Sequence, residues 1–319
     1  MIEFQDVTKV FENAQEPAVK NLQIQIYEGE IVVLVGPSGC GKTTTMKMIN
    51  RLVDPTEGKI ILDNQDVSKV DPLELRRNIG YVIQHIGLFP HLTVEENIAT
   101  VPKLKKWSKE AIAERVNELL KLVGMESEIV KQKMPRQLSG GQQQRIGVAR
   151  AMAADPPIML MDEPFGALDP ITRERLQNEF LGIQQDVRKT IVFVTHDIDE
   201  AVKMGDRIAV MRDGEVVQYD TPNAILSTPA DQFIANLTGE DRAIKYLSLV
   251  DVSRAFIQYD DLKKSRGTNK CIDHNASLKE ALIVMLENGL LQLDVRKHKD
   301  VIGYISLQKM VEVVSSKKL

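Results

Sequence analysis

The stretch "IVVLVGPSGCGKTTTMKMI" (31–49) limits what this chain can fold into more than any other. Its first five residues are an unbroken apolar run, as expected of a strand buried on both faces of a sheet. The glycines that follow let the backbone curl, and the residues after them predict a helix opening directly from the loop. Strand, glycine loop and helix in that order make a phosphate loop, because free backbone N–H groups and the helix dipole both point at the anion. The expected nucleotide-binding residues are Gly36, Pro37, Ser38, Gly39, Cys40, Gly41, Lys42, Thr43 and Thr44. Lys42 is expected to reach the β- and γ-phosphates of ATP, and Thr43 to offer its hydroxyl to Mg²⁺. Cys40 reads as a small tolerated side chain.

Such a loop needs a sheet around it, and strand texture recurs along the chain. "LQIQI" (22–26) alternates with period two, and "TEGKIILD", "NIGYVIQ" (78–84), "PIMLMDEP" (157–164), "TIVFVTH" (190–196) and "DRIAVMRDGEVVQ" (206–218) follow. From about 88 to 155 the pattern changes to helices, with Gly124 as a stop signal inside the block. The expected fold is α/β, a P-loop nucleoside-triphosphatase core with an antiparallel β edge and a helical insertion. Polar "NLTGEDR" (236–242) suggests a boundary and hence domains at 1–236 and 242–319. In the second, "SLKEALIVMLENG" (277–289) carries a Ser277 cap and a Gly289 stop, followed by strands and a closing helix, a small α+β module.

Composition excludes some partners. The 319 residues hold 43% hydrophobic and 27% charged side chains, enough for two ordinary globular cores, and the net charge of −4 argues against nucleic acid. No signal peptide is visible and no apolar run approaches the ~20 residues of a spanning helix, so the chain is expected to stay in the cytosol. Cys40 and Cys271 are at no metal-ligand spacing.

Chemistry gathers at the strand ends. Asp162, closing the apolar "IMLMD", is placed to hold the magnesium, and Glu163 to polarise a water attacking the γ-phosphate. Gln84 ends a strand before the insertion, within reach of metal and water. His196 stands at the top of a parallel strand, where open α/β sheets bind ligands. Phe11 offers a ring on which adenine can stack. A second glycine loop, "LSGGQQQRIG" (138–147), opens a helix on the far side of the insertion but has no lysine. Its Ser139, Gly140 and Gly141, followed by Gln142, form an anion site that a second copy of the chain could lend to the first copy's ATP across a twofold axis.

Taken together, "GPSGCGKT", Gln84, "LSGGQ", "IMLMDEP", "ALD" (167–169) and His196 resemble the nucleotide-binding subunit of an ATP-binding cassette (ABC) transporter over about residues 1–235. The resemblance implies an active ATPase whose two subunits close head to tail, each "LSGGQ" sealing ATP on its partner's P-loop. It makes Phe11 the adenine-stacking aromatic, Glu163 the catalytic carboxylate, Asp169 part of the inter-subunit loop and His196 the γ-phosphate sensor. "QHIGLFPHLTVEENIATVPKLKKWSKEAI" (84–112) and "DEPFGALDPITRERLQ" (162–177) are similar to importers of quaternary amines such as glycine betaine, carnitine and choline. Residues 276–314 resemble a cystathionine-β-synthase-type (CBS) module, in a single copy where a pair is usual. This implies membrane-spanning permease subunits, a substrate-binding protein or domain, a peripheral place on the cytoplasmic face of the membrane, and a nucleotide or ionic-strength effector at the CBS-like module. The ATPase of another solute importer and a non-transport ABC ATPase stay open as alternatives.

Overall fold

The computed structural model describes the chain except residues 13, 84–86, 126, 167, 260–269 and 317–319. Contacts divide it into two compact units, Met1–Tyr219 and Asp220–Leu319. The first contains, in chain order, β1 (Ile2–Lys9), β2 (Val19–Ile26), β3 (Ile31–Val35), α1 (Lys42–Ile49), β4 (Glu57–Leu62), β5 (Gln65–Asp66), α2 (Pro72–Arg77) and β6 (Ile79–Val82). Four helices follow, α3 (Val94–Leu104), α4 (Lys109–Leu122), α5 (Ser127–Lys131) and α6 (Gly140–Met152), then β7 (Ile158–Asp162), α7 (Pro170–Val187), β8 (Thr190–Thr195), α8 (Ile198–Met204), β9 (Arg207–Arg212) and β10 (Glu215–Asp220).

The apolar runs form the middle of a six-stranded sheet in the order β10–β9–β3–β8–β7–β6. β3 lies parallel to β8 on one side and β9 on the other, and all five of its residues are buried, which is why the run has no polar interruption. Register aligns the strand ends: Val35 pairs with Thr195, and Asp162 with Val194. The loops leaving β3, β7 and β8 therefore emerge side by side at the carboxyl edge of the sheet.

The antiparallel strands differ from expectation. They do not extend the edge of this sheet but form their own, in the order β2–β1–β4–β5. Leu22, Ile24 and Ile26 turn inward from β2 while Gln23 and Gln25 face outward, and one apolar core joins Phe4, Ile24 and Ile60 to Leu34, Leu160 and Val192 of the parallel sheet. Burying the one-sided sheet requires a second layer, and the faces of β3 and β8 supply it.

The helical block lies between β6 and β7. Thr93 and Glu96 close a capping box at the start of α3, and Ser108 caps α4. Asn97, fully buried, ties the preceding loop to α3: its amide donates to the carbonyls of Phe89, Leu92 and Thr93, and its oxygen accepts from Phe89 N–H.

The second unit begins ahead of the polar stretch at 236–242, with α9 (Pro222–Ser227) packed against both α10 (Gln232–Thr238) and α11 (Arg242–Ser248). β11 (Ile257–Gln258), β12 (Cys271–Asp273), α12 (Leu278–Asn288), β13 (Gln292–Lys297), β14 (Asp300–Ser306) and α13 (Leu307–Ser315) complete it. β12 and β13 are parallel through the α12 crossover, and β13 and β14 form a hairpin, in a sheet ordered β11–β14–β13–β12. The Ser277 capping box and left-handed Gly289 bound α12 as its sequence predicts. Among the described residues no helix is long and apolar enough to cross a membrane.

Candidate functional site

After Val35 the chain turns through residues 36–41 and enters α1 from Gly41, whose φ of 104° is left-handed. A Cβ built there would lie 2.3 Å from the Ala18 carbonyl oxygen, so both conformation and space demand glycine. With no side chain capping α1, its first N–H groups remain available to an anion. Lys42 is buried; its Nζ donates to the carbonyls of Gly36 at 2.7 Å and Pro37 at 2.8 Å, and lies 3.7 Å from Cys40 Sγ. The ammonium is thus held at the centre of the loop. Burial pushes the Cys40 thiol up, so the sulfur is a packed thiol rather than a reactive thiolate. Pro37, Ser38 and Gly39 are exposed and Thr44 is half-buried.

The next strand brings the acids. Thr43 Oγ1 donates to Asp162 Oδ1 at 3.1 Å, joining the start of α1 to the end of β7. Asp162 is only 3% exposed, and burial raises its pKa against the lowering effect of the Thr43 bond, with the neighbouring Glu163 charge raising it further. A buried carboxylate beside a hydroxyl is a pair of hard oxygen donors, and it fits Mg²⁺. Among the described residues no cluster of three or more His, Cys, Asp or Glu side chains forms a closed metal cage, so such an ion would draw its remaining oxygens from phosphate and water.

Glu163 has a left-handed φ of 47°, unusual for a side-chain-bearing residue. Bonds from three directions hold it there. Its N–H donates to Val194 O at 2.9 Å, and its carbonyl accepts from Gly166 N–H at 3.1 Å and from Gln144 Nε2 at 3.0 Å. The twist swings the carboxylate toward β8, where Glu163 Oε1 lies 3.1 Å from Nδ1 of the largely exposed His196. One edge of the sheet therefore carries a lysine in an anion loop, a hydroxyl and carboxylate fit for a cation, and a carboxylate paired with an imidazole.

The second loop is built as a helix start. Ser139 Oγ accepts from Gln142 N–H at 3.3 Å while Gln142 Oε1 accepts from Ser139 N–H at 3.0 Å, and Ser139 and Gly140 are exposed. Gly141 packs closely on Leu168, since an added Cβ would lie 2.9 Å from its Cδ2. Asp169 caps α7 by accepting from Thr172 N–H at 3.0 Å, and that bond holds its carboxyl below the usual range. Among the described residues no hydrogen bond joins 139–142 to 36–44. Phe11, just beyond β1, is exposed, with Lys9 Nζ 5.2 Å from its ring centroid. Gln84 lies outside the described residues. The residue that motif reading gave no role is Gln144: it lies within "LSGGQQQRIG" (138–147), but its distinguishing mark, a buried amide on α6, shows only in the fold.

The chain is similar to known proteins. The family model ABC transporter matches residues 19–166. The carnitine transport ATP-binding protein OpuCA of Listeria monocytogenes is 50% identical over 312 residues, covering 97% of this chain and 76% of that protein. The glycine betaine/carnitine/choline transport ATP-binding protein OpuCA of Bacillus subtilis (strain 168) is 48% identical over 309 residues, covering 97% of this chain and 79% of that protein. Among solved structures, the dimeric post-hydrolysis state of the ATP-binding cassette MJ0796 bound to ADP and Pi aligns with a TM-score of 0.65 at 39% identity, over 70% of this chain and 99% of that one.

Proposed function

The chain belongs to the ABC transporter family as an ATP-binding subunit, and from that premise we propose that two copies close head to tail on ATP to drive import of an osmoprotectant such as glycine betaine, carnitine or choline. Relatives named for those solutes, similar over nearly the whole chain, support the solute class. The observation that carries the chemistry is the Glu163–His196 pair at 3.1 Å, beside the Thr43–Asp162 pair at 3.1 Å, above a buried lysine loop.

In this reading residues 36–44 wrap the phosphates and Lys42 sets its charge among their oxygens. Thr43 and Asp162, with Gln84, would hold Mg²⁺, which when bound neutralises charge between the β- and γ-phosphates. Glu163 accepts a proton from the attacking water as its oxygen bonds to the γ-phosphorus, and the bond to the bridging oxygen breaks to leave ADP and phosphate. His196 turns Nδ1 toward Glu163, and in the imidazolium form, where both ring nitrogens donate, its Nε2–H is left for a γ-phosphate oxygen. Phe11 stacks the adenine. Ser139, Gly140, Gly141 and Gln142 of one copy close over the nucleotide of the other, with Asp169 at the seam.

Permease subunits and a substrate-binding protein or domain complete the importer, with this chain peripheral on the cytoplasmic face of the membrane. The β–α–β–β–α order from β12 to α13 supports a CBS-like module that takes a nucleotide or ionic-strength effector. The test is Glu163→Gln: hydrolysis falls by about 10²- to 10⁴-fold, the range for loss of a general base, while an ATP-bound dimer accumulates on gel filtration. Unchanged hydrolysis refutes the catalytic assignment. Uptake of labelled glycine betaine at high salt, in cells carrying only this variant, should be lost with it; retained uptake assigns the subunit to another solute.

A further inference from the structure

Gln144 is 7% exposed, and its side chain makes one hydrogen bond among the described residues, from Nε2 to the carbonyl of Glu163 at 3.0 Å. Its Oε1 is buried with no partner. Burying an amide with its acceptor unmet is costly, and leucine or methionine would fill the same space without that cost. The surviving bond is therefore the feature that accounts for an amide at this position. It ends on the one side-chain-bearing residue among the described site residues whose backbone is held left-handed, and whose carboxylate direction depends on that backbone.

The other end of the connection is the second anion loop. Gln144 follows Gly140 by four residues, one turn along the same helix face, so movement of the first turn of α6 is carried to the amide as a rigid displacement. Close packing of Gly141 on Leu168 makes a second link between the same helix end and the loop that follows Glu163.

We propose that Gln144 is a positioning residue that ties the Ser139–Gln142 loop to Glu163, so that closure of this loop on a second copy's nucleotide is relayed to the carboxylate serving the chain's own nucleotide. The proposal rests on the split-site reading above. The two ATP sites of a dimer are then coupled through the protein, each reporting its closure to the other's hydrolytic group. Gln144 touches neither nucleotide; it acts only by setting where Glu163 points.

The experiment is steady-state ATP hydrolysis by the full-length protein and its Gln144→Met and Gln144→Glu variants, with MgATP varied. Methionine keeps the volume and removes the donor, so kcat is expected to fall roughly tenfold, the rate equivalent of one lost hydrogen bond, while KM for ATP changes less than twofold. Gln144→Glu sets an acceptor against the carbonyl and is expected to lower kcat further. The Hill coefficient for ATP is expected to lie above 1 in the wild type and to approach 1 in both variants. An unchanged kcat in Gln144→Met, or a KM rise that accounts for the whole loss, overturns the positioning role. A wild-type Hill coefficient above 1 that survives in both variants overturns the relay alone. A wild-type coefficient of 1 with no ATP-driven dimer refutes the split site, and the relay falls with it.

Discussion

Gly39 and Gly41 stand two residues apart in the same loop, yet alanine should act very differently at each. Both have left-handed backbones, with φ of 81° and 104°. A Cβ at Gly39 meets nothing within 4 Å, whereas one at Gly41 lies 2.3 Å from the Ala18 carbonyl and 3.3 Å from Val19 Cγ2. Gly39→Ala therefore carries only the conformational cost of a left-handed L-residue, about 1–2 kcal/mol. If all of it falls on the nucleotide-ready loop, ATP affinity drops by roughly 5- to 30-fold. Gly41→Ala adds an overlap with backbone that cannot rotate away, so the loop or β2 must move and the N–H groups at the start of α1 lose their common direction. The expected loss exceeds a hundredfold. Titration with a fluorescent ATP analogue measures both, and thermal melts of the two variants separate loss of affinity from loss of fold. Equal losses at the two positions, or a harmless Gly41→Ala, would refute the claim that close approach to Ala18 shapes this loop.

Two further outcomes follow from the core beneath the site. Phe193 is fully buried in β8 with its ring centroid 5.9 Å from that of Phe165, so Phe193→Ala should cost about 3–5 kcal/mol and lower Tm by roughly 6–20 °C, read by calorimetry; a shift below 2 °C would contradict the packing. Glu200 is buried and accepts from Gln177 Nε2 at 3.0 Å, and burial raises its pKa. A carboxyl with a raised folded-state pKa contributes its stability below the unfolded value and loses it as pH rises through the folded one. Glu200→Gln, which keeps an acceptor and removes the charge, should therefore gain Tm over wild type at pH 8, and that gain should shrink toward pH 4. A gain that is constant across this range would show that ionisation of Glu200 is not the cause.

The parallel half of the fold was legible because strands buried on both faces need continuous apolar residues, and "IVVLV", "IMLMD" and "TIVFVT" supply them. The placing of Asp162, Glu163 and His196 together was legible for a related reason: each closes or directly follows such a run, and parallel pairing sends those ends to one edge. The separate antiparallel sheet was not legible, since its key pairing joins Ile2 to Leu62 across the whole phosphate loop and helix, and no local pattern encodes that partner. The start of the second unit at Asp220 was hidden likewise, because it depends on α9 packing against α11 rather than on a composition change. Gln144 escaped for a third reason: an amide is ambiguous in sequence, and only the left-handed Glu163 carbonyl opposite it makes it distinctive. That contact also bears on why one chain carries two glycine loops. Residues 36–44 have the lysine and neighbouring acids that phosphate transfer needs, while residues 139–142 have only a capped helix start. In the split-site reading the second loop completes a partner's nucleotide site, and the Gln144–Glu163 bond makes that completion a signal as well as a seal.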